Sequence, residues 1–186
     1  MFLSHKTIEQ YIDEKKIVIQ PRFEKKNIRP AGVRIHLAEE ILVPQAGQTV
    51  EIRKPIKLKY TSVNLRKKAF YLEPNGFVLG ATYEHIKTPR NILAILDGRS
   101  TIARLGLTTH ITASVIDGTF EKPHAAVLEI KNVGNFRIRL KYKDPIALMV
   151  FAEMKEPVTQ KTQSQYGRGQ TKVTPPNLKF RTGRDK

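Results

Sequence analysis

Residues 97–113 read Asp97-Gly98-Arg99-Ser100-Thr101-Ile102-Ala103-Arg104-Leu105-Gly106-Leu107-Thr108-Thr109-His110-Ile111-Thr112-Ala113. Gly98 lets the backbone come close to a ligand, and Ser100 or Thr101 is placed to cap a short helix whose free N–H groups and dipole favour an anion. Arg99 and Arg104 add planar donor forks that suit phosphate oxygens. His110 to Ala113 then starts a strand. An isolated Gly-Arg-Ser reads more simply as a capped turn with surface arginines, so it is the length of the run that counts.

Outward from this run the pattern is mostly short strands. Ile17-Val18-Ile19, Val33 to Leu37, Val50-Glu51-Ile52, Phe70-Tyr71-Leu72, Phe77-Val78-Leu79, Ile92 to Leu96, Ala126 to Ile130, Phe136 to Leu140 and Ile146 to Phe151 are β-branched or alternating and are punctuated by Pro, Gly and Asn. Pro74-Asn75-Gly76 and Val133-Gly134-Asn135 read as tight turns. Lys6 to Lys16 places Ile8, Tyr11 and Ile12 at helical spacing, with Ser4 or Thr7 as the cap. The expected class is mainly β, a jelly roll or barrel, with one short N-terminal helix and one short helix after Gly98. No internal repeat is present.

At 186 residues the chain holds one hydrophobic core, and the expected domain is 1–155. From Glu156 the composition turns to Lys, Thr, Gln, Ser, Gly and Pro, so 156–186 is expected to be a flexible tail that orders over a ligand or a neighbouring subunit. A net charge of +16, from 33 Lys plus Arg against 17 Asp plus Glu, points to polyanionic company. Lys54, Lys57, Lys59, Arg66, Lys67 and Lys68 cluster without aromatics in a stacking pattern, so nucleic acid is not the expected partner. No cysteine is present, which excludes disulfides and thiolate metal sites. His5, His36, His85, His110 and His124 show no metal-ligand spacing. No apolar stretch approaches a membrane span, and the polar residues of Met1 to Lys6 do not fit a secretory signal; a cytoplasmic protein without a membrane partner is expected.

The central run resembles the dCTP deaminase branch of the dUTPase-like superfamily. That branch carries Gly-Arg-Ser-Ser-Leu-Ala-Arg-Leu-Gly-Leu, then His-x-Thr-Ala, then Ile-Asp, then Leu-Glu with an Asn shortly after. The same order appears here as Gly98 to Leu107, His110-Ile111-Thr112-Ala113, Ile116-Asp117, Leu128-Glu129 and Asn132. The resemblance implies the dUTPase-like distorted jelly roll and a homotrimer with active sites between subunits. It also implies dCTP or dUTP as ligand, with Mg²⁺ carried by the triphosphate and no protein-held metal.

Removing the cytosine amine needs water to attack the ring carbon, a proton for the ring nitrogen, and departure of ammonia. Zinc deaminases use cysteine ligands for this, which the chain lacks, so the route here must be zinc-independent. Glu129 lies in the apolar run Ala125 to Ile130, where burial favours a carboxyl able to carry a proton; the plainer reading is a charged residue on the solvent face of an edge strand. The resemblance implies Glu129 as general acid/base, assisted by Ser100 and Arg104. It assigns Arg99, Ser100, Thr101 and Arg104 to the triphosphate, Thr112 and Ala113 to the pyrimidine, Asp117 to the deoxyribose 3′-hydroxyl and Phe120 to the sugar. Tyr166 and the Gly169-Gln170 pair stand for the elements that fold over the nucleotide.

Several positions depart from the family. Ile-Asp-Pro-Gly-aromatic is Ile116-Asp117-Gly118-Thr119-Phe120 here, and the segment from Asp117 to Glu129 is longer than the family's. The family's Ser-Ile-Asp-Leu-Arg-Leu-Gly is Gly32-Val33-Arg34-Ile35-His36-Leu37-Ala38, with Arg34 in the place of Asp. Val115 replaces an Arg or an aromatic. The expected reaction is hydrolysis of dCTP to dUTP and ammonia. Alternatives are dUTP diphosphatase, a bifunctional enzyme giving dUMP, and a non-catalytic nucleotide- or nucleic-acid-binding trimer. Glu129 favours deamination, because a plain dUTPase has no use for an acid/base at the pyrimidine amine.

Overall fold

The structure, a computed structural model, describes residues 1–21, 23–51, 57–160 and 170–176. It opens with α1 (His5–Asp13), which buries Ile8 and packs Tyr11 and Ile12 against the core. Ser4 sits at its N-cap with no side-chain bond to the helix. The strands follow in order: β1 (Val18–Gln20), β2 (Ile28–Arg29), β3 (Gly32–His36), β4 (Glu40–Pro44), β5 (Tyr60–Asn64), β6 (Phe70–Leu72), β7 (Phe77–Lys87) and β8 (Ile92–Gly98). After the short α2 (Ser100–Ala103) come β9 (Leu107–Thr108), β10 (Val115–Ile116), β11 (His124–Asn132), β12 (Ile138–Leu140) and β13 (Pro145–Glu153).

Among the described residues two open sheets and a strand pair result, with no closed barrel. The larger sheet runs β5-β4-β7-β11-β9, with β1 also on β7; the second runs β10-β8-β13-β3-β2; β12 pairs β6. Pairing is antiparallel throughout, so each strand turns alternate side chains to opposite faces. Along β11 this sends Leu128, Ile130 and Asn132 into the main core, beside Val78 and Ile86 of β7 and Phe151 and Met149 of β13. Ala125 and Val127 face the other way, into a smaller apolar cluster with Leu79, Ala81 and Val173. Glu129 shares that parity. The strand therefore offers its carboxylate to a second, shallower compartment on the outer face of the sheet.

Val173 belongs to the tail, and Gln170 to Pro176 lie against β11: the Ala125 N–H donates to the Gln170 carbonyl at 2.7 Å, and Val173 is buried. The predicted strand at Val50-Glu51-Ile52 is not formed at Val50 and Glu51, which are exposed outside any strand, and Ile52 lies outside the described residues. Strands β4 and β5, in contrast, pair over Glu40 to Pro44 and Tyr60 to Asn64.

Asn132 ties the turns together. It is fully buried; its amide donates to the carbonyls of Leu72 at 3.1 Å and Phe136 at 2.7 Å, while its side-chain oxygen accepts from Gly134 N–H at 3.1 Å. Its backbone bonds Asn75 and Gly76, so one residue satisfies both predicted turns at once. That is the physical reason for an Asn three residues after Glu129.

Candidate active site

Strand β8 delivers the chain to Gly98, whose N–H donates to the Asp97 carboxylate at 2.7 Å. A Cβ at Gly98 would meet nothing within 4 Å, so the backbone here faces open space into which a ligand could come. The helix that follows starts differently from the sequence expectation. Arg99, in extended conformation, occupies the N-cap position and makes no side-chain cap bond; Ser100 is the first helical residue. One residue of shift leaves the Ser100 and Thr101 hydroxyls inside the first turn and exposed, away from the N–H groups a cap would serve.

Arg99 is half-buried and donates to the Pro145 carbonyl. Burial, and then the nearby Arg34 and Arg29 guanidiniums, hold its pKa below the usual arginine value. Arg104 ends the helix and is exposed.

The segment predicted to continue as a strand, His110 to Ala113, is irregular and lies between β9 and β10. Its backbone enters no ladder, and the Ile111 N–H donates to Glu129 Oε2, at 3.2 Å. Glu129 itself is half-buried. The other main-chain groups of Thr112 and Ala113 form no strand ladder, which keeps them available to a planar base.

Glu129 lines a cavity of about 500 Å³, within the range of small-ligand sites. Ala113, Phe120 and Gln170 line the same cavity, and Leu79 and Val127 form its apolar floor. Four sequence-predicted positions, Glu129, Ala113, Phe120 and Gln170, are thus brought together in one chain. Arg99, Ser100, Thr101, Arg104, Thr112 and Asp117 are not among its walls. Tyr166 lies outside the described residues. A second cavity, of about 420 Å³ and lined by Glu39, Arg66 and Tyr142 among others, holds no predicted site residue.

Asp117 is exposed, and its Oδ1 accepts from the Thr119 N–H at 3.1 Å and hydroxyl at 2.7 Å. This local turn is closed by Gly118, whose φ of +72° and contact with the Pro89 carbonyl admit no side chain.

The turn carries Phe120 onto His124, with ring centroids 3.6 Å apart and planes at 30°. His124 is 6% exposed, forms part of the cavity wall, and its Nδ1 has no partner. Burial pushes its pKa down to about 4 against an opposing hydrogen bond with the Ile86 backbone, so the imidazole is neutral near pH 7. His124 had no assigned role in the sequence; its place between Phe120 and Glu129, inside the lengthened segment, was the available signal. Among the described residues, no group of three or more His, Cys, Asp or Glu could hold a metal ion. None of the described helices is long and apolar enough to cross a membrane.

Comparison with known proteins places this geometry. Residues 2–154 match the family model described as dCTP deaminase-like. The dUMP-forming dCTP deaminase of Methanobrevibacter smithii is 34% identical over 165 residues, covering 83% of this chain and 81% of that protein. The dCTP deaminase of Colwellia psychrerythraea is 35% identical over 165 residues, covering 83% and 82%. Among solved structures, the 2′-deoxycytidine 5′-triphosphate deaminase of Agrobacterium tumefaciens superposes with a TM-score of 0.63 over 81% of this chain and 46% of that one, at 16% identity, a likeness of fold. With its central run, its open jelly-roll sheets and a family match spanning residues 2–154, the chain belongs to the dCTP deaminase-like family.

Proposed function

We propose that the chain hydrolyses dCTP to dUTP and ammonia without zinc. The observation that carries this is the Glu129 carboxylate on the wall of the cavity, held by the Ile111 N–H. A cytosine entering beside Ala113 meets main-chain groups of the irregular 110–113 segment on its edge and the carboxylate at its amine. Glu129 takes a proton from the attacking water and gives it to the ring nitrogen. It then assists proton transfer to the amine as the C–N bond breaks, so that water and dCTP balance dUTP and ammonia.

Phe120 forms the wall for the sugar, and Asp117 exchanges its Thr119 contacts for the 3′-hydroxyl. Arg99, Ser100, Thr101 and Arg104 hold the triphosphate, with Ser100 and Arg104 also assisting Glu129. Because these four lie outside the cavity wall of their own chain, the reading includes a homotrimer in which a neighbouring subunit supplies them. Gln170, docked on β11 beside the cavity, and Tyr166 act as the closing segment. Mg²⁺ travels with the triphosphate, for which phosphate oxygens are the natural ligands and no acidic cluster of the described residues is needed. The reaction belongs in the cytoplasm, where deoxynucleotides are used.

A second reading carries the product on to dUMP, favoured by the name of relatives such as those of Methanobrevibacter smithii and Nanoarchaeum equitans, each a dUMP-forming dCTP deaminase. Incubation with dCTP and with dUTP, following ammonia and pyrophosphate separately, tests both. Ammonia without pyrophosphate supports release of dUTP. Pyrophosphate matching ammonia supports the dUMP-forming reading, and neither product from dCTP overturns both.

A further inference from the structure

Arg34 stands where the family pattern has Asp, and its surroundings give that reversal a use. Strand β13 carries Leu148 between Arg34 of β3 and Asp97 of β8, so the three occupy one row of the second sheet and share a face. Arg99, just beyond Asp97, turns its guanidinium back to the Pro145 carbonyl, and Pro145 lies opposite His36, the next residue of β3 on the Arg34 face. Arg29 pairs with Gly32, the preceding position on that face. Arg29 and Arg99 therefore flank Arg34 from opposite ends of β3, and three guanidinium side chains share one face of the second sheet.

Among the described residues no carboxylate forms an ion pair with any of the three; Asp97, in the same row as Arg34, accepts from the Gly98 N–H. Arg34 is half-buried and Arg29 exposed. Three cations held near one another with no carboxylate of the described residues bonded to them repel, and Arg34 and Arg29 each add to the lowering of the Arg99 pKa. A ligand bearing several negative charges relieves this repulsion, and guanidinium forks match phosphate oxygens in pairs.

We propose that Arg34 and Arg29 extend the Arg99 site into a receptor for the distal phosphates of a triphosphate chain. The proposal rests on the deaminase reading for its nucleotide, and not for its anion site. It makes this chain's grip on the triphosphate less dependent on a divalent ion, because fixed cations neutralise charge that Mg²⁺ would otherwise screen.

Calorimetric titration of the assembled protein with dCTP, dCMP and inorganic tripolyphosphate, with Mg²⁺ and with EDTA, tests it. The R34Q variant should bind dCTP and tripolyphosphate about tenfold more weakly, the R34D variant more weakly still, and both should bind dCMP unchanged. The loss should be larger in EDTA. R29Q, at an exposed position, should show a smaller loss of the same pattern if R34D fails to fold. Equal losses for dCMP and dCTP, or no loss in R34Q and R29Q, overturn the proposal. A wild-type protein that releases ammonia from dCTP and does not bind tripolyphosphate overturns this inference alone. One that binds tripolyphosphate and never releases ammonia overturns the deaminase reading alone.

Discussion

Gly106 and Gly134 touch backbone to backbone: a Cβ built on Gly106 would stand 2.4 Å from the Gly134 nitrogen, and the Val133 N–H donates to the Gly106 carbonyl at 2.7 Å. Gly106 also has φ of +81°, a region that side-chain-bearing residues avoid. This contact locks the end of the arginine-bearing helix to the turn that follows β11. It thereby holds in place the helix that carries Ser100 and Thr101 and ends at Arg104. Gly106→Ala should therefore destabilise by about 3 kcal/mol, combining the left-handed strain with a backbone clash that no rotamer can relieve. Thermal unfolding should fall by roughly 10 °C, and turnover should fall even at temperatures where the variant stays folded. An unchanged melting temperature would remove Gly106 from this role.

Glu129→Gln separates chemistry from binding. The amide oxygen of Gln still accepts the Ile111 N–H and fills the same wall, so dCTP affinity should stay within about threefold of wild type. Without a carboxylate to carry the proton, kcat should drop by about a thousandfold. Ammonia release and calorimetry on the same preparation measure the two effects. Retained turnover would return Glu129 to the status of an ordinary half-buried strand residue.

Legibility followed the strength of local signal. Strands β11 and β13 were readable because their apolar residues run continuously or alternate over nine residues each. Glu40 to Pro44 and Tyr60 to Asn64 gave little: one ends in Pro and the other is mostly polar, as suits β5 at the sheet's edge, and they are strands because they pair with each other and β4 also pairs with β7. His110 to Ala113 carried a strand-like composition but forms no ladder, and its Ile111 N–H meets the Glu129 side chain instead, a tertiary contact that no local pattern encodes. Glu129 was legible only through the resemblance; its pattern alone fitted a solvent-facing carboxylate better. The Phe120–His124 stack depends on the fold of a lengthened segment, and composition could not reveal it.

That stack predicts an acid-sensitive stability. Burial holds the His124 imidazole at a pKa of about 4 in the folded chain against its ordinary value of 6.5. Above pH 6.5 both states are neutral at this site and it adds no pH dependence. As pH falls from 6.5 towards 4, the unfolded chain takes up a proton that the folded chain refuses, so stability is lost across that window, up to about 3 kcal/mol. His124→Phe keeps a ring against Phe120 and cannot titrate. Denaturant unfolding at pH 7 and pH 4.5 should show a smaller acid-induced loss in the variant than in wild type. Equal losses would mean that other groups dominate acid unfolding.

The split between the cavity and the arginine run leads to a complementation experiment. Glu129 faces its own chain's cavity, and Arg104 is absent from that wall. If a neighbouring subunit supplies Arg104, the E129Q and R104A proteins should each be inactive alone, because every site in either trimer lacks one partner. Unfolding and refolding them together at equal amounts creates mixed trimers in which some sites join an intact Glu129 from one subunit to an intact Arg104 from another. With random assortment about one quarter of the sites are complete, and ammonia release should recover to about that fraction of wild type. If both residues acted within one chain, no mixture could assemble a complete site and the refolded protein would stay inactive.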